Sequence, residues 1–321
     1  MSALELVELS LLSPMVLAFV LGAAARLAKS DLRFPEPVST ILSVYLLFAI
    51  GLKGGVELAK APLATLWAPT LATLVLGVAI PLWCYALLRH PGRFSIADAA
   101  ALAAHYGSVS AVTFTAAVTF VDAVGTPAET FLPALVAILE VPAIVIALLL
   151  ARRSLGQGSW RAGLHEVLTG KSIFLLGGGL LIGAISGPQG FAQVQPFFVD
   201  PFKGVLALFL LDLGTLAAAR FGDLRKAGPF LLAFGVLMPL VNGLAGAWLG
   251  DLAGLSVGGA AVLGTMAASA SYIAAPAAVR AALPEANPGY YLTASLAITF
   301  PFNLVVGIPV YYRMAEWLCG R

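Results

Sequence analysis

Charge is what this sequence has least of. Lys and Arg number 18 and Asp and Glu 16 among 321 residues, so charged side chains make up 11% of the chain, against about 25% in a soluble domain. A water-solvated surface cannot be built from so few ions. Histidine is limited to three residues and cysteine to two. Cys84 and Cys319 sit in or beside separate apolar segments with no spacing pattern, which excludes a cysteine metal site and a disulfide framework. No basic cluster accompanies the net charge of +2, so nucleic acid is not an expected partner. The opening stretch MSALELVELSLLSP holds two glutamates and neither Lys nor Arg, unlike the basic leader of a cleaved signal peptide. HExxH, GxSxG, Walker and GxGxxG-plus-acid patterns are missing, so an enzyme reading has no constellation to rest on. What fills the chain is apolar: 60% hydrophobic residues and a mean hydropathy of +0.96. A protein core alone cannot bury that much apolar surface. The solvent is therefore lipid, and the chain reads as an all-α integral membrane protein with the bilayer as its partner.

A spanning helix needs roughly 20 apolar residues. Ten stretches meet that need, near 11–29, 37–56, 63–88, 95–121, 128–151, 171–187, 199–219, 227–250, 254–282 and 288–316. Short connectors with turn signals separate them, among them LRHPGRF, DAVGTPAE, SGPQG and LPEANPG. With the N-terminus outside, 13 of the 18 Lys and Arg residues fall on inner loops, and only Lys53, Lys60, Lys203, Arg313 and Arg321 fall outside. The positive-inside rule thus predicts both termini on the periplasmic or extracellular side.

The chain also repeats itself. Residues 105–142 lie on 266–303 at a shift of 161 without a gap, pairing Ser108 with Ser269 and Ser110 with Ser271. Each half holds a small, serine-bearing span, a turn, and then a span interrupted by a polar residue or proline. The expected division is a first repeat at 1–151, a cytoplasmic linker at 152–170 and a second repeat at 171–321. Five spans per half is an odd number, so the halves are inverted relative to each other, with spans 4 and 9 broken. Inverted repeats with broken helices mark secondary transporters.

The broken spans carry the chemistry. In lipid, unwound backbone survives only where it is buried or lines a wet cavity. YGSVSAVTF and ASASYIAAP supply small side chains, hydroxyls and, at Pro276, a helix-disfavouring proline. Two half-helix N-termini facing across a small space bind an anion through free N–H groups and dipole ends. Small-residue faces are also ordinary packing surfaces, but their symmetric placement favours a site. Glu140, mid-span in LVAILEVPAIVI, is expensive in a bilayer and is a candidate cation or proton site, with Thr113 nearby. Asp212 divides evenly between function and a helix interface. His105 reads as a packed histidine.

These segments resemble the sodium-dependent bicarbonate transporters of the cyanobacterial carbon-concentrating system. The likeness is carried by GSVSAVTFTAA (107–117), by FLPALVAILEVPAIVIALLLA (131–151) and by AASASYIAAPAAVRAALPEANPGYYLTAS (267–295), whose run from Arg280 to Pro288 is the most diagnostic. The resemblance implies a gate or scaffold of helices 1, 2, 6 and 7, a core of helices 3–5 and 8–10, a homotrimer, and inward movement of bicarbonate with Na⁺. On positions that match the family stand Ser110, Ser269, Ser271 and Thr113, whereas Ser108 stands where a relative has alanine and Glu140 where the family has aspartate. The expected substrate contacts of this chain are Gly107, Ser108, Ser110, Ser269, Ser271 and Tyr272, with a Na⁺ or H⁺ site at Glu140 and Thr113. No cofactor is expected beyond Na⁺ as coupling ion. Tyr272 stands where the family has an acid. Cyanobacterial members bind a PII-like regulator and carry a long central insertion; here only about 20 linker residues stand in its place, which removes the ground for carrying that partner over. A small organic-anion or carboxylate carrier on the same fold, and a transport-inactive sensor, are the alternatives.

Overall fold

The structure is a computed structural model and describes residues 3–155, 165 and 168–320. Among these residues no strand occurs. In chain order the helices are α1 (Ala3–Leu11), α2 (Pro14–Leu27), α3 (Glu36–Lys60), α4 (Leu63–Arg89), α5 (Ile96–Gly107), α6 (Ala111–Val124) and α7 (Leu132–Leu155). They continue with α8 (Lys171–Ala192), the short α9 (Gln195–Phe198), α10 (Phe202–Ala219), α11 (Leu224–Leu252), α12 (Val257–Ala268), α13 (Ala275–Ala282) and α14 (Pro288–Cys319). The linker expected at 152–170 lies largely outside the described residues.

Among the described residues eight helical stretches are long and apolar enough to cross a bilayer, α5 with α6 and α9 with α10 each taken as one, and α1 with α2 forms a ninth if that pair, bent by 59°, counts as one span. Ser13 makes the bend: its hydroxyl accepts from Val16 N–H and caps α2, and Pro14 starts the new helix where no donor is needed. The ninth expected stretch, 254–282, is broken. It consists of α12, an unwound segment and the short α13. SGPQG marks a kink rather than a loop, because Gly187 adopts φ 60° and α8 resumes at Pro188. The outward faces are apolar, with Leu63 and Ile185 both 84% exposed. Such a surface is stable only against lipid.

Two helix pairs come together backbone to backbone. A Cβ on Gly55 would sit 2.1 Å from the Leu180 carbonyl oxygen, and one on Gly183 would sit 2.1 Å from that of Leu52, so α3 and α8 touch through glycine. Gly22 and Gly214 do the same for α2 and α10, at 1.9 and 2.1 Å from facing carbonyl oxygens. Close approach through small residues is how helices associate where no hydrophobic drive separates protein from lipid. The remaining helices pack around α5 and α12, which are almost wholly buried. α14 is a single helical run with π-helical turns at Thr293–Thr299 and Asn303–Gly307. Those turns free backbone groups, and the side chains there reach other helices: Thr299 Oγ1 donates to Gly235 O and Asn303 Nδ2 donates to Ala268 O.

Candidate functional site at two crossing helix breaks

α5 ends at Gly107 and α6 starts at Ala111, with Ser108, Val109 and Ser110 extended between them. α12 ends at Ala268 and α13 starts at Ala275, so Ser269 through Ala274 are unwound. The freed polar groups find partners across the two breaks. Ser110 N–H donates to Ser269 Oγ at 2.9 Å, and Ser271 N–H donates to the His105 carbonyl at 2.8 Å. Ser269 Oγ also donates to Met266 O, and Asn303 takes up the carbonyl of Ala268. Ser110 Oγ caps α6 by accepting from Thr113 N–H, and Ser271 Oγ accepts from Ala275 N–H at the start of α13. Each break thus satisfies the other, as the absence of water in a bilayer demands.

A small cavity sits where they cross. Val109, Ser110 and Ala111 line it from the first break, and Ser271, Tyr272 and Ile273 from the second. Glu140 of α7, Leu47 of α3 and Ser172 of α8 close it. Its free volume is about 10 Å³, room for about one water molecule. Glu140 is 4% exposed and takes part in no ion pair among the described residues. The Tyr272 ring packs edge-on against Phe300 at 5.1 Å, and its buried hydroxyl faces Ser110 without a hydrogen bond of ordinary geometry.

Of the residues singled out from sequence, Ser110, Ser271, Tyr272 and Glu140 meet at this cavity. The other four lie beside it. Ser269 spends its hydroxyl on the crossing bond. Gly107 is a packing position, since a Cβ there would come within 2.8 Å of Ala143 Cβ and 2.9 Å of Pro81 Cδ. Ser108 is buried with its hydroxyl unpartnered among the described residues, and Thr113 is buried one turn into α6. Asp212 is buried on α10 and His105 stacks on Tyr291 at 4.5 Å; neither lines the cavity. Sequence reasoning missed Ser172 and Leu47. No sequence signal marks them, because their role arises only from packing α3 and α8 against the breaks.

Further cavities continue from the site along the seam between α3, α10 and α6. The next shares Leu47, Ala111 and Ile273 with it and adds Ser43 and Thr115. Beyond that, sharing Ile50 and Thr115, lies a cavity of about 290 Å³ reached by Lys53 and Lys203.

The far ends of the two central helices are held by acids, in opposite ways. Ser95 caps α5, whose own Asp98 accepts from Asn287 N–H at 2.8 Å, in the turn between α13 and α14. Ser256 caps α12, but there the acid comes from the turn between α6 and α7: Glu129 Oε1 accepts from Ser256 N–H at 2.6 Å. The residue of α12 that corresponds to Asp98 is Gly259, and a Cβ on it would lie 1.8 Å from Glu129 Oε2.

Among the described residues the bundle is helical and lipid-facing, and its two helix breaks cross at a buried cavity walled in part by hydroxyls and a carboxylate, which defines the class as a multi-pass membrane protein. Among curated proteins none matches the sequence significantly. The family comparison is decisive: residues 14–316 match the Na⁺-dependent bicarbonate transporter superfamily, and the chain belongs to that family.

Proposed function

We propose that this protein is a secondary active transporter that moves bicarbonate, or an anion of similar size, inward across a bacterial inner membrane by sliding a core of helices past a scaffold. The observation that carries this reading is the cavity that brings Ser110 and Ser271, from two separate breaks, together with Glu140 of α7. Hydroxyls and half-helix N-termini suit a small anion. A carboxylate in the same cavity repels an anion unless a proton or cation neutralises it. Glu140 therefore favours coupling to Na⁺ or H⁺, which would share the cavity with the anion. Among the described residues no group of three His, Cys, Asp or Glu side chains could hold a metal; a coupled Na⁺ would rely on Glu140 with hydroxyl and carbonyl oxygens, the hard donors such an ion prefers.

Inverted repeats of five spans are part of the proposal, with α12, the break and α13 counted as one span. The helix bounds support it. α5 and α12 are both 12 residues long and start 161 residues apart, the shift read from the sequence. The contact glycines Gly22 and Gly183 have the same separation. The scaffold would then be α1–α3 with α8–α10, the elements joined through those glycines. A cavity with room for one water is too small for bicarbonate, so loading requires the core to separate from α3 and α8. Loose packing along that seam is what a sliding interface requires.

The test is uptake of labelled bicarbonate by proteoliposomes, with and without a Na⁺ gradient, beside a pH gradient. Uptake above that of empty liposomes, driven by one of the gradients, is expected. Failure to take up any small anion rejects the reading. Tyr272 in the cavity wall favours one second reading, a carrier of small carboxylates, for which its hydroxyl and ring face are contacts that the family's acid does not offer. A substrate panel in the same vesicles separates the two.

A further inference from the structure

The cavity has a wall that belongs to neither break. Ser172, 4% exposed, reaches it from the second residue of α8. The N-cap of α8 is Gly170, which offers no side-chain acceptor, so the first amides of the helix are left with their positive dipole end. Lys171 is the first residue of α8. A cation there opposes the dipole, so helix stability does not explain it. Its ammonium donates to Ser43 Oγ at 2.9 Å. Ser43 is 4% exposed, its hydroxyl donates to Thr40 O, and it lines the seam cavity that adjoins the site. Lys171 takes part in none of the ion pairs among the described residues. Lys171 is itself exposed, and its ammonium rests on a buried neutral hydroxyl, one residue from the cavity wall, with no carboxylate paired to it among the described residues.

We propose that Lys171, held by Ser43 and backed by Ser172 and the N-terminus of α8, is the scaffold's half of the anion site. This rests on the anion-transport reading and adds to it the residue that supplies positive charge. The breaks offer the anion only amides and hydroxyls, which move with it. Lys171 does not move with the core. The anion is held more tightly where the breaks face α8, and it loses that attraction when the core slides away. The ligand affinity of the two ends of the cycle then differs, which a fixed charge on the core could not achieve. A lysine that merely anchors α8 at the membrane surface has no effect on anions.

The experiment measures thermal stabilisation of the purified full-length protein in detergent by bicarbonate, formate and chloride. It compares wild type with Lys171→Met, Lys171→Arg and Ser43→Ala, and runs beside uptake in proteoliposomes. Lys171→Met is expected to raise the half-saturating bicarbonate concentration about tenfold, equivalent to about 1.4 kcal/mol. Lys171→Arg should stay near wild type, and Ser43→Ala, which loosens the lysine but keeps its charge, should fall between them. The melting temperature without anion should not change. If Lys171→Met does not fold, Lys171→Gln is measured in its place. Equal half-saturation in wild type and the neutral variant overturns the assignment. If bicarbonate has no effect on wild type but formate or chloride stabilises it in a Lys171-dependent way, Lys171 stands and the bicarbonate reading falls. Binding that depends on Lys171 without any uptake keeps the site and removes transport. No stabilisation by any of the three anions overturns both.

Discussion

The two acid clamps make a prediction that depends on their being exchangeable. In α5 the acid sits on the helix, as Asp98; in α12 it arrives from another turn, as Glu129, over Gly259. Gly259→Asp alone forces a second carboxylate into space that Glu129 fills, with the new Cβ 1.8 Å from Oε2. Overpacking and like-charge repulsion together should cost about 3 kcal/mol. Glu129→Ala alone removes the acceptor for Ser256 N–H, the loss of a helix cap, about 1 kcal/mol. The double variant is different. Its introduced carboxylate stands three residues after the Ser256 cap and can reach back to the Ser256 N–H, as in a capping box, while the space left by Glu129 accommodates it. We expect the double variant within about 1 kcal/mol of wild type, against a sum of about 4 kcal/mol for independent effects. The assay is unfolding of the detergent-solubilised protein by denaturant titration, with uptake as a second readout. Losses that add to within about 0.5 kcal/mol, as for unrelated sites, would refute the clamp.

Other outcomes follow from the site and the frame. Ser110→Leu fills the cavity and removes the α6 cap; uptake should be lost while size-exclusion still shows the folded protein. Glu140→Gln keeps the shape and removes the charge, so the protein should fold normally and its transport should lose dependence on a cation gradient, measured as uptake with and without that gradient. Tyr272→Asp restores the acid expected in the family and should strengthen dependence on Na⁺, read as a lower half-saturating Na⁺ concentration. Gly183→Leu drives a side chain into the Leu52 carbonyl, 2.1 Å from where its Cβ would lie, and should separate α3 from α8, lowering stability by about 3 kcal/mol or more.

The bilayer made much of the fold legible. Lipid allows few ways to arrange backbone polar groups, so hydropathy marks the long apolar helices, though it passes over α1, and the serine pairs in YGSVSAVTF and ASASYIAAP mark where the helices unwind. The shift of 161 reappears in the bounds of α5 and α12. What stayed hidden is what depends on contact between distant segments. The hydroxyls of Ser110 and Ser269 look alike in sequence, but only Ser269 uses its own to receive Ser110 N–H. Ser172 opens an apolar helix and becomes a cavity wall only because α8 packs there. Glu129 looks like an ordinary turn acid; its task is visible only beside Gly259.

The bond from Ser110 to Ser269 also bears on biosynthesis. Its donor is made 159 residues before its acceptor. At about 5–20 residues per second, the first break waits roughly 8–30 s in the membrane with that N–H unsatisfied. The same delay applies to the His105 carbonyl, which receives Ser271 N–H. The first half of the chain therefore cannot finish folding by itself. Until the second half is inserted, it depends on water, on the insertion machinery or on a chaperone, and a fragment ending in the central linker should be a substrate for membrane proteases.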